Sequence, residues 1–116
     1  MIVLGIDPGT ASTGYGVVQG DGLGPVSLVE CGVIRTRPRD PLASRLNEIF
    51  EGVSELLERH RPDALSVEDV FYAKNVRTTV VLGHARVRHD AVRTAARRTR
   101  RSNYSRNYSR PILAVV

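Results

Sequence analysis

The chain has 116 residues, enough for one domain and too few for two. Its hydrophobic fraction of 41% is typical of a globular protein with a core and excludes a wholly disordered chain. The net charge of +5 is uneven: residues 1–86 carry −2, from 9 Lys and Arg against 11 Asp and Glu, whereas residues 87–116 carry +7, from 8 Arg and a single acid.

The single cysteine, Cys31, excludes an intramolecular disulfide and fits a reducing cytoplasm. Its apolar neighbours favour a small core residue over a reactive thiol. The N-terminus has no basic segment followed by an apolar stretch, and the chain has no apolar run of the length of a membrane span. We therefore expect neither a signal peptide nor a transmembrane helix, and a cytoplasmic location.

Three segments at the start of the chain predict an antiparallel meander. Residues 2–6 form a continuous apolar run, typical of a central strand buried on both faces, and Asp7-Pro8-Gly9-Thr10 ends it in a turn. Residues 14–18 and 26–35 predict the second and third strands, on either side of a glycine-rich turn at 20–25.

The clearest pattern in the chain is one helical face, which runs from Leu42 to Leu57 and predicts a helix. Its members are Leu42, Leu46, Ile49, Phe50, Val53, Leu56 and Leu57. Asp40 is placed to cap this helix, Pro41 suits its first position and Arg61-Pro62 ends it. His60, in the last turn, is expected to be solvated or to interact with the helix dipole. Four glutamates are expected to face solvent: Glu48, Glu51, Glu55 and Glu58.

Residues 64–70 predict another strand, which should run parallel to a neighbour because it follows a crossover helix. A second helix is predicted to begin at Lys74 or Asn75 and to continue through Val80 and Ala85. The order β-β-β-α-β-α predicts a mixed α/β sheet.

Two acids stand where strands end, Asp7 and Glu68. If the two strands are adjacent and parallel, both carboxylates project from the same edge of the sheet, where ligand sites lie. Such a pair would repel unless cations bridged it, and oxygen ligands favour Mg²⁺ or Mn²⁺. The alternative is that Asp7, which precedes Pro8-Gly9, is an ordinary turn residue. Asp69 is not expected in the site, because successive strand residues point to opposite faces.

Three motifs occur in order along residues 1–86. They are Leu-Gly-Ile-Asp-Pro-Gly-Thr at 4–10 with Thr-Gly-Tyr-Gly at 13–16, Val-Glu-Asp-Val-Phe-Tyr-Ala-Lys-Asn at 67–75, and Leu-Gly-His-Ala-Arg at 82–86. Together they resemble the bacterial RuvC crossover-junction endonucleases, with His84 where that family has glutamine. The resemblance implies a ribonuclease H-like fold, a homodimer, a branch-migration helicase complex as partner, and Mg²⁺-dependent paired nicking of four-way (Holliday) DNA junctions, with Mn²⁺ as a substitute ion.

The same resemblance suggests roles for individual residues. Asp7 and Glu68 match the first two metal-binding catalytic carboxylates of the family. Phe71 matches an aromatic that contacts bases near the junction centre, although a core role is its alternative. The remaining candidates for DNA contacts are Thr10, Lys74, Asn75 and Arg77, and Thr13 is a further hydroxyl near the turn. For Thr10 and Thr13 a turn-forming role is equally open.

Residues 87–116 depart from the family pattern. They lack its later catalytic carboxylates and its fifth strand, use arginine without lysine, and repeat Asn-Tyr-Ser-Arg at 103–106 and 107–110. We interpret them as a non-family tail, disordered beyond about residue 97, that arose from a reading-frame change near Arg86. On that interpretation residues 64–70 form an exposed edge strand, and the chain is inactive or nearly so.

Two other functions stay open. Proteins of the actin and Hsp70 type also begin with an apolar strand, an Asp-x-Gly-Thr turn and a hairpin, and there the turn binds nucleotide phosphates. A non-catalytic protein that binds DNA through the arginine tail is the other alternative, and it predicts steeply salt-dependent binding with no preference for junctions.

Overall fold

The computed structural model describes residues 1–68 and 74–83, and the backbone of 112–115. These residues form a mixed five-stranded sheet in the order β3-β2-β1-β4-β5 with helices on one face. The elements are β1 (Ile2–Asp7), β2 (Ser12–Gln19), β3 (Ser27–Arg35), α1 (Leu42–His60), β4 (Ala64–Val67) and β5 (Ile112–Val115), and residues 74–83 are also helical.

The first three strands form the meander that the sequence predicts. β1 pairs with β2 from Ile2↔Gln19 to Asp7↔Gly14, and β2 pairs with β3 with one bulge at Val17/Val18. The turn between β2 and β3 is closed by the Asp21 carboxylate, which accepts hydrogen bonds from two backbone N–H groups. These donors stabilise the charged carboxylate and hold the pKa of Asp21 below its usual value.

The parallel pairing also follows the prediction. Helix α1 returns the chain across the sheet, so β4 lies beside β1 in parallel register, from Val3↔Ala64 to Ile6↔Val67. The described strand ends at Val67, whereas residues 64–70 were predicted; residues 69–73 lie outside the described part of the chain.

Helix α1 and the helical residues 74–83 cover the same face of the sheet. Alternate strand residues, such as Leu4 and Leu65, are fully buried beneath α1 residues such as Val53. Val76 and Val80, at i and i+4 of the second helix, join this core with 0% exposure. Burial of these side chains is the main favourable contribution to the stability of the fold.

Three details of the helices differ from the sequence prediction. Asp40 does not cap α1: Pro41 is the N-cap residue, with no side-chain hydrogen bond, because proline already fixes an extended backbone there. Leu42 was predicted to be an apolar contact, but it is 45% exposed, since it is the first residue of α1. His60 is not solvated, and its partners are described below. The helix ends before Arg61-Pro62, as predicted, and Arg61 itself has the left-handed conformation.

The opposite face of the sheet is open among the described residues. β1 is central in the sheet, yet only Leu4 and Ile6 are buried, so the prediction of burial on both faces is wrong. Cys31, predicted to be a core residue, is exposed because β3 turns its side chain to this open face. The local sequence shows that the neighbours of Cys31 are apolar. It does not show which face of the sheet is covered by helices.

The edge of the sheet differs from the prediction as well. β4 was expected to be an exposed edge, but its backbone pairs in parallel with β5, from Ala64↔Ile112 to Val67↔Val115. Disorder beyond residue 97 is therefore wrong for 112–115, where an apolar segment meets a strand with unsatisfied backbone groups. The remainder of 84–111, including the end of the second predicted helix, lies outside the described residues. No described helix is long and apolar enough to cross a bilayer.

Candidate functional site

Asp7 and Glu68 lie side by side at the carboxyl ends of two neighbouring parallel strands. The β1–β4 register runs to Ile6↔Val67, and the Glu68 N–H extends it by donating to the Ile6 carbonyl at 3.1 Å. Neighbouring strands are about 4.8 Å apart. Since registered residues of paired strands point to the same side, the two carboxylates share the open face of the sheet.

The donor set of this pair fits a divalent cation. Both residues are exposed, and neither accepts a hydrogen bond from another described side chain. Two carboxylates at this spacing repel each other unless a cation lies between them, and hard oxygen donors suit Mg²⁺ or Mn²⁺. No cluster of three or more His, Cys, Asp or Glu occurs among the described residues, so the rest of a coordination sphere would come from water, substrate or residues outside this set.

The turn after Asp7 is fixed by internal hydrogen bonds. The Thr13 hydroxyl, fully buried, donates to the Gly9 carbonyl at 2.7 Å and accepts from the Gly9 N–H at 3.4 Å. A side chain at position 9 would collide with the backbone oxygen of Ser12, so only glycine fits. Thr10 and Thr13 could each have formed the turn or bound a phosphate. Thr13 forms the turn, and its hydroxyl is therefore unavailable to a phosphate.

A second support reaches the same turn from helix α1. The buried Thr36 hydroxyl donates to the Thr10 carbonyl at 2.5 Å, and the Arg45 Nε donates to that hydroxyl at 3.1 Å. The Thr36 N–H also donates to the Ala11 carbonyl. This brace (Thr10, Thr36 and Arg45) joins three segments next to Asp7. Sequence reasoning missed it because partners 26 residues apart leave no local signal.

The other predicted DNA-contact residues lie nearby along the chain. Lys74 and Asn75, six and seven positions after Glu68, are exposed at the start of the helical residues 74–83, and Arg77 is half-buried. Thr10 is half-buried in the turn. Phe71, like Asp69, lies outside the described residues.

A shallow groove leads away from Asp7 across the open face. Its volume is about 520 Å³, and its floor is formed largely by glycine backbone at Gly5, Gly14 and Gly16, with Cys31 and Val33 at one side. An added Cβ at Gly16 would meet nothing within 4 Å, which shows how little lies above this floor. The groove leaves room for an extended polymer strand or a helix to approach the two carboxylates.

A separate charged cluster lies at the far end of α1. Glu30 forms an ion pair with His60, accepts from Arg59 Nη2 at 2.8 Å and accepts from the Tyr15 hydroxyl at 3.0 Å. The hydrogen bond from His60 is the main cause that lowers the pKa of Glu30, while burial is the main cause that raises the pKa of Tyr15. Every member has a partner, so this Glu30 cluster links β2, β3 and α1.

Comparison with known proteins gives a consistent result. The family described as "Crossover junction endodeoxyribonuclease RuvC" matches residues 3–108. Its member from Pelotomaculum thermopropionicum is 48% identical over 86 residues, covering 74% of this chain and 52% of the relative. The Parafrankia member is 51% identical over 98 residues, covering 84% of this chain and 54% of the relative. The chain thus spans about half the length of these relatives.

A solved structure agrees with the fold. It is titled "T. thermophilus RuvC in complex with Holliday junction substrate", is 31% identical with a TM-score of 0.70, and is matched over 75% of this chain and 61% of its own. The described sheet and helices therefore have the ribonuclease H-like arrangement of the resolvases.

Proposed function

This chain belongs to the RuvC family of crossover junction endodeoxyribonucleases, and on that premise we propose that it binds four-way DNA junctions through the edge of the sheet that carries Asp7 and Glu68. The observation that carries the proposal is the parallel β1–β4 register, which sets the two carboxylates side by side on an open face. A strand of DNA can reach that face without displacing a described residue.

Asp7 and Glu68 would hold Mg²⁺ through their carboxylates, with Mn²⁺ as a substitute. When bound, such an ion supplies Lewis acidity for hydrolysis of a phosphodiester bond. The protein contributes position: the Glu68 N–H is fixed by the Ile6 carbonyl, and the Gly9–Thr13 hydrogen bonds fix the turn after Asp7. Lys74, Asn75, Thr10 and Arg77 would contact the DNA backbone, and Phe71 the bases near the junction centre.

We also propose that cleavage by the 116-residue chain is absent or very slow. Two carboxylates leave a pair of divalent ions short of ligands, and losing one member of a catalytic group typically costs several orders of magnitude in rate. The reading-frame change near Arg86 stays a prediction; the family match runs on to residue 108, 22 positions past it. Translation of the alternative frames after codon 86 tests it, since one of them should encode an acid-bearing final helix.

The whole-protein properties implied by the family are proposals of the same kind. They are a homodimer, an assembly with a branch-migration helicase, and a role in DNA recombination and repair. A junction nuclease acts where chromosomal DNA is, so we propose a cytoplasmic location.

Manganese binding tests the two carboxylates directly. Titration of the full chain with Mn²⁺, followed by electron paramagnetic resonance, should show binding that weakens at least about tenfold in Asp7→Asn and in Glu68→Gln. Glu58→Gln removes an equal charge from the exposed face of α1 and should leave the affinity unchanged. Equal affinity in all four proteins contradicts the proposed ion site.

DNA binding separates the proposal from its alternatives. In gel-shift titrations the chain should prefer a four-way junction to a duplex of the same arm sequence. Equal binding to both, lost on deleting 87–116, would instead favour a tail-driven DNA-binding protein, and ATP binding in place of DNA binding would favour the actin and Hsp70 type. Nicking of the junction by this chain, abolished by Asp7→Asn, would overturn the proposed inactivity.

A further inference from the structure

The last residue of β3 and the segment that follows it present three arginines at the same end of the sheet as Asp7. Arg35, Arg37 and Arg39 are all exposed, and none forms an ion pair with a residue that the structure describes. β3 runs antiparallel to β2, and β2 antiparallel to β1, so the end of β3 and the end of β1 lie at one edge of the sheet. We call these three residues the arginine segment.

The strand register also determines the face on which Arg35 lies. Asp7 pairs with Gly14, Gly14 with Val33, and Ser12 with Arg35. Opposed residues of an antiparallel pair point to the same side, and residues two apart in a strand do so too. Arg35 therefore shares the open face with Asp7.

The spacing suits two phosphates a few nucleotides apart on one DNA strand. Two strand widths of about 4.8 Å and two residues of about 3.4 Å place the Cα atoms of Asp7 and Arg35 roughly 12 Å apart. At an axial rise of about 3.4 Å per nucleotide of a strand, that distance spans about three to four nucleotides. A guanidinium at this position reaches the backbone near, but not at, the phosphate that faces the carboxylates.

The backbone of the arginine segment is held in place before any ligand binds. Between the first two arginines, Thr36 is buried and bonded to Thr10, Ala11 and Arg45. The Asp40 N–H donates to the Arg37 carbonyl at 3.0 Å, closing a turn that contains Pro38. Because this backbone is already ordered, binding does not have to restrict it in addition to the arginine side chains.

The local charge favours a polyanion. Asp7 and Glu68 alone would repel a DNA strand that approached the open face. Three arginines that have no acidic partner within residues 1–68 and 74–83 offset that repulsion. Guanidinium groups bind phosphate in bidentate geometry, so they hold the DNA backbone without reading its sequence.

We propose that Arg35, Arg37 and Arg39 form a phosphate-binding site for the DNA strand flanking the phosphate at Asp7 and Glu68. This proposal rests on the proposed function and extends it, because it places one arm of the junction over the end of β3. Its contribution to affinity is electrostatic and independent of base sequence.

The salt dependence of junction binding tests the site. For the full chain, the affinity for a four-way junction is measured over a range of NaCl concentrations for wild type and for the triple variant Arg35→Gln, Arg37→Gln, Arg39→Gln. Each lost phosphate contact lowers the slope of log K against log [salt] by about 0.9, so the slope should fall by about 2 to 3. Arg61→Asn is the matched control, because it removes one positive charge at the opposite end of α1 and asparagine tolerates the left-handed backbone there.

The outcomes separate this site from the proposed function. A reduced slope in the triple variant with an unchanged slope in Arg61→Asn supports the site. Junction-selective binding by wild type with an unchanged slope in the triple variant overturns the site and leaves the proposed function intact. If wild type has no preference for junctions over duplex, both fail. Equal urea midpoints of wild type and triple variant confirm that folding is unaffected, and single variants assign the contacts if the triple variant is unstable.

Discussion

Helix α1 has a cluster of polar side chains at each end, and the two clusters are built differently. At its end, the Glu30 carboxylate is fully occupied by His60, Arg59 and Tyr15. At its start, the brace of Thr10, Thr36 and Arg45 is connected by a neutral hydroxyl, while the neighbouring acids Asp7 and Glu68 have no cationic partner among the described residues.

The difference indicates which charges stabilise the protein and which are available to a ligand. A charge that is already paired gains little from a ligand, because the ligand would have to replace existing hydrogen bonds. Unpaired charges on a backbone that is held by other groups are available, and their positions are already fixed. The start of α1 has unpaired charges on a backbone that is held by other groups. The charges at the end of α1 are already paired.

The largest expected effect comes from breaking the brace. Thr36→Val keeps the shape of the side chain but removes the hydroxyl, leaving the Thr10 carbonyl without its donor and Arg45 without its acceptor. We expect a loss of about 1–3 kcal/mol in the free energy of unfolding. Urea denaturation measures it. Thr78→Val, which removes an exposed helical hydroxyl bonded only to the Lys74 carbonyl, is the control and should cost less than about 0.5 kcal/mol. Equal costs at 36 and 78 would show that the brace contributes nothing beyond an ordinary surface hydroxyl.

The Glu30 cluster can be disturbed through its glycine. A Cβ at Gly32 would lie 2.6 Å from the Tyr15 hydroxyl oxygen and 2.8 Å from its ring, so Gly32→Ala must displace the ring and its hydrogen bond to Glu30. We expect a loss of about 1–2 kcal/mol in unfolding free energy, smaller than for a backbone clash because the ring can move. Gly16→Ala, in the adjacent strand but with nothing within 4 Å, should be nearly neutral. Thermal denaturation of both variants is the measurement. Equal melting temperatures for Gly32→Ala and Gly16→Ala would show that the Tyr15 side chain moves aside without cost.

Acid should weaken the Glu30 cluster at the end of α1. The pKa of Glu30 is lowered in the folded protein, so the cluster's stabilisation is present above the unfolded pKa of about 4.3 and is lost as the pH falls through the folded value. Melting temperatures measured from pH 7 to pH 3 should therefore decline less steeply in Glu30→Gln than in wild type. Asp21, whose pKa is also lowered, acts in the same direction, so Asp21→Asn measures its separate share. If the melting temperature of Glu30→Gln falls with pH as steeply as that of wild type, the ion pair is not formed in solution.

The smallest effect concerns the open face rather than either end of α1. Cys31 is exposed there, so its thiol should react with a disulfide reagent at nearly the rate seen in urea. Protection by more than about tenfold would show that residues outside the described part of the chain, or a second copy, cover the face. Val33→Ser, beside Cys31 in the groove, should not change the rate if the face is open.

Local pattern was enough to predict most of the fold. The apolar run of β1, the helical stripe from Leu46 to Leu57 and the parallel placement of β4 all follow from periodicity and connection rules, and the register then placed Asp7 beside Glu68. Those features depend on neighbours in sequence or on rules for whole elements, which a single sequence contains.

The features that were missed depend on contacts between distant residues. Thr36 bonds to Thr10 across 26 residues, and His60 pairs with Glu30 across 30, with no local sign of either. The exposure of Cys31 depends on which face of the sheet a second layer covers. β5 was missed because an apolar tetrapeptide after a low-complexity stretch has no periodicity of its own, and it becomes a strand only where β4 offers unsatisfied backbone groups.

The β1–β4 ladder has a consequence for the order of folding. β1, β2 and β3 pair through short turns, whereas β1 meets β4 across 61 residues. Closing that long loop costs more chain entropy, so we expect the meander to form first and the parallel ladder later. Asp7 and Glu68 become neighbours only in that later step. Until then the two acids belong to separate segments, so the proposed cation site would exist only in the completed sheet.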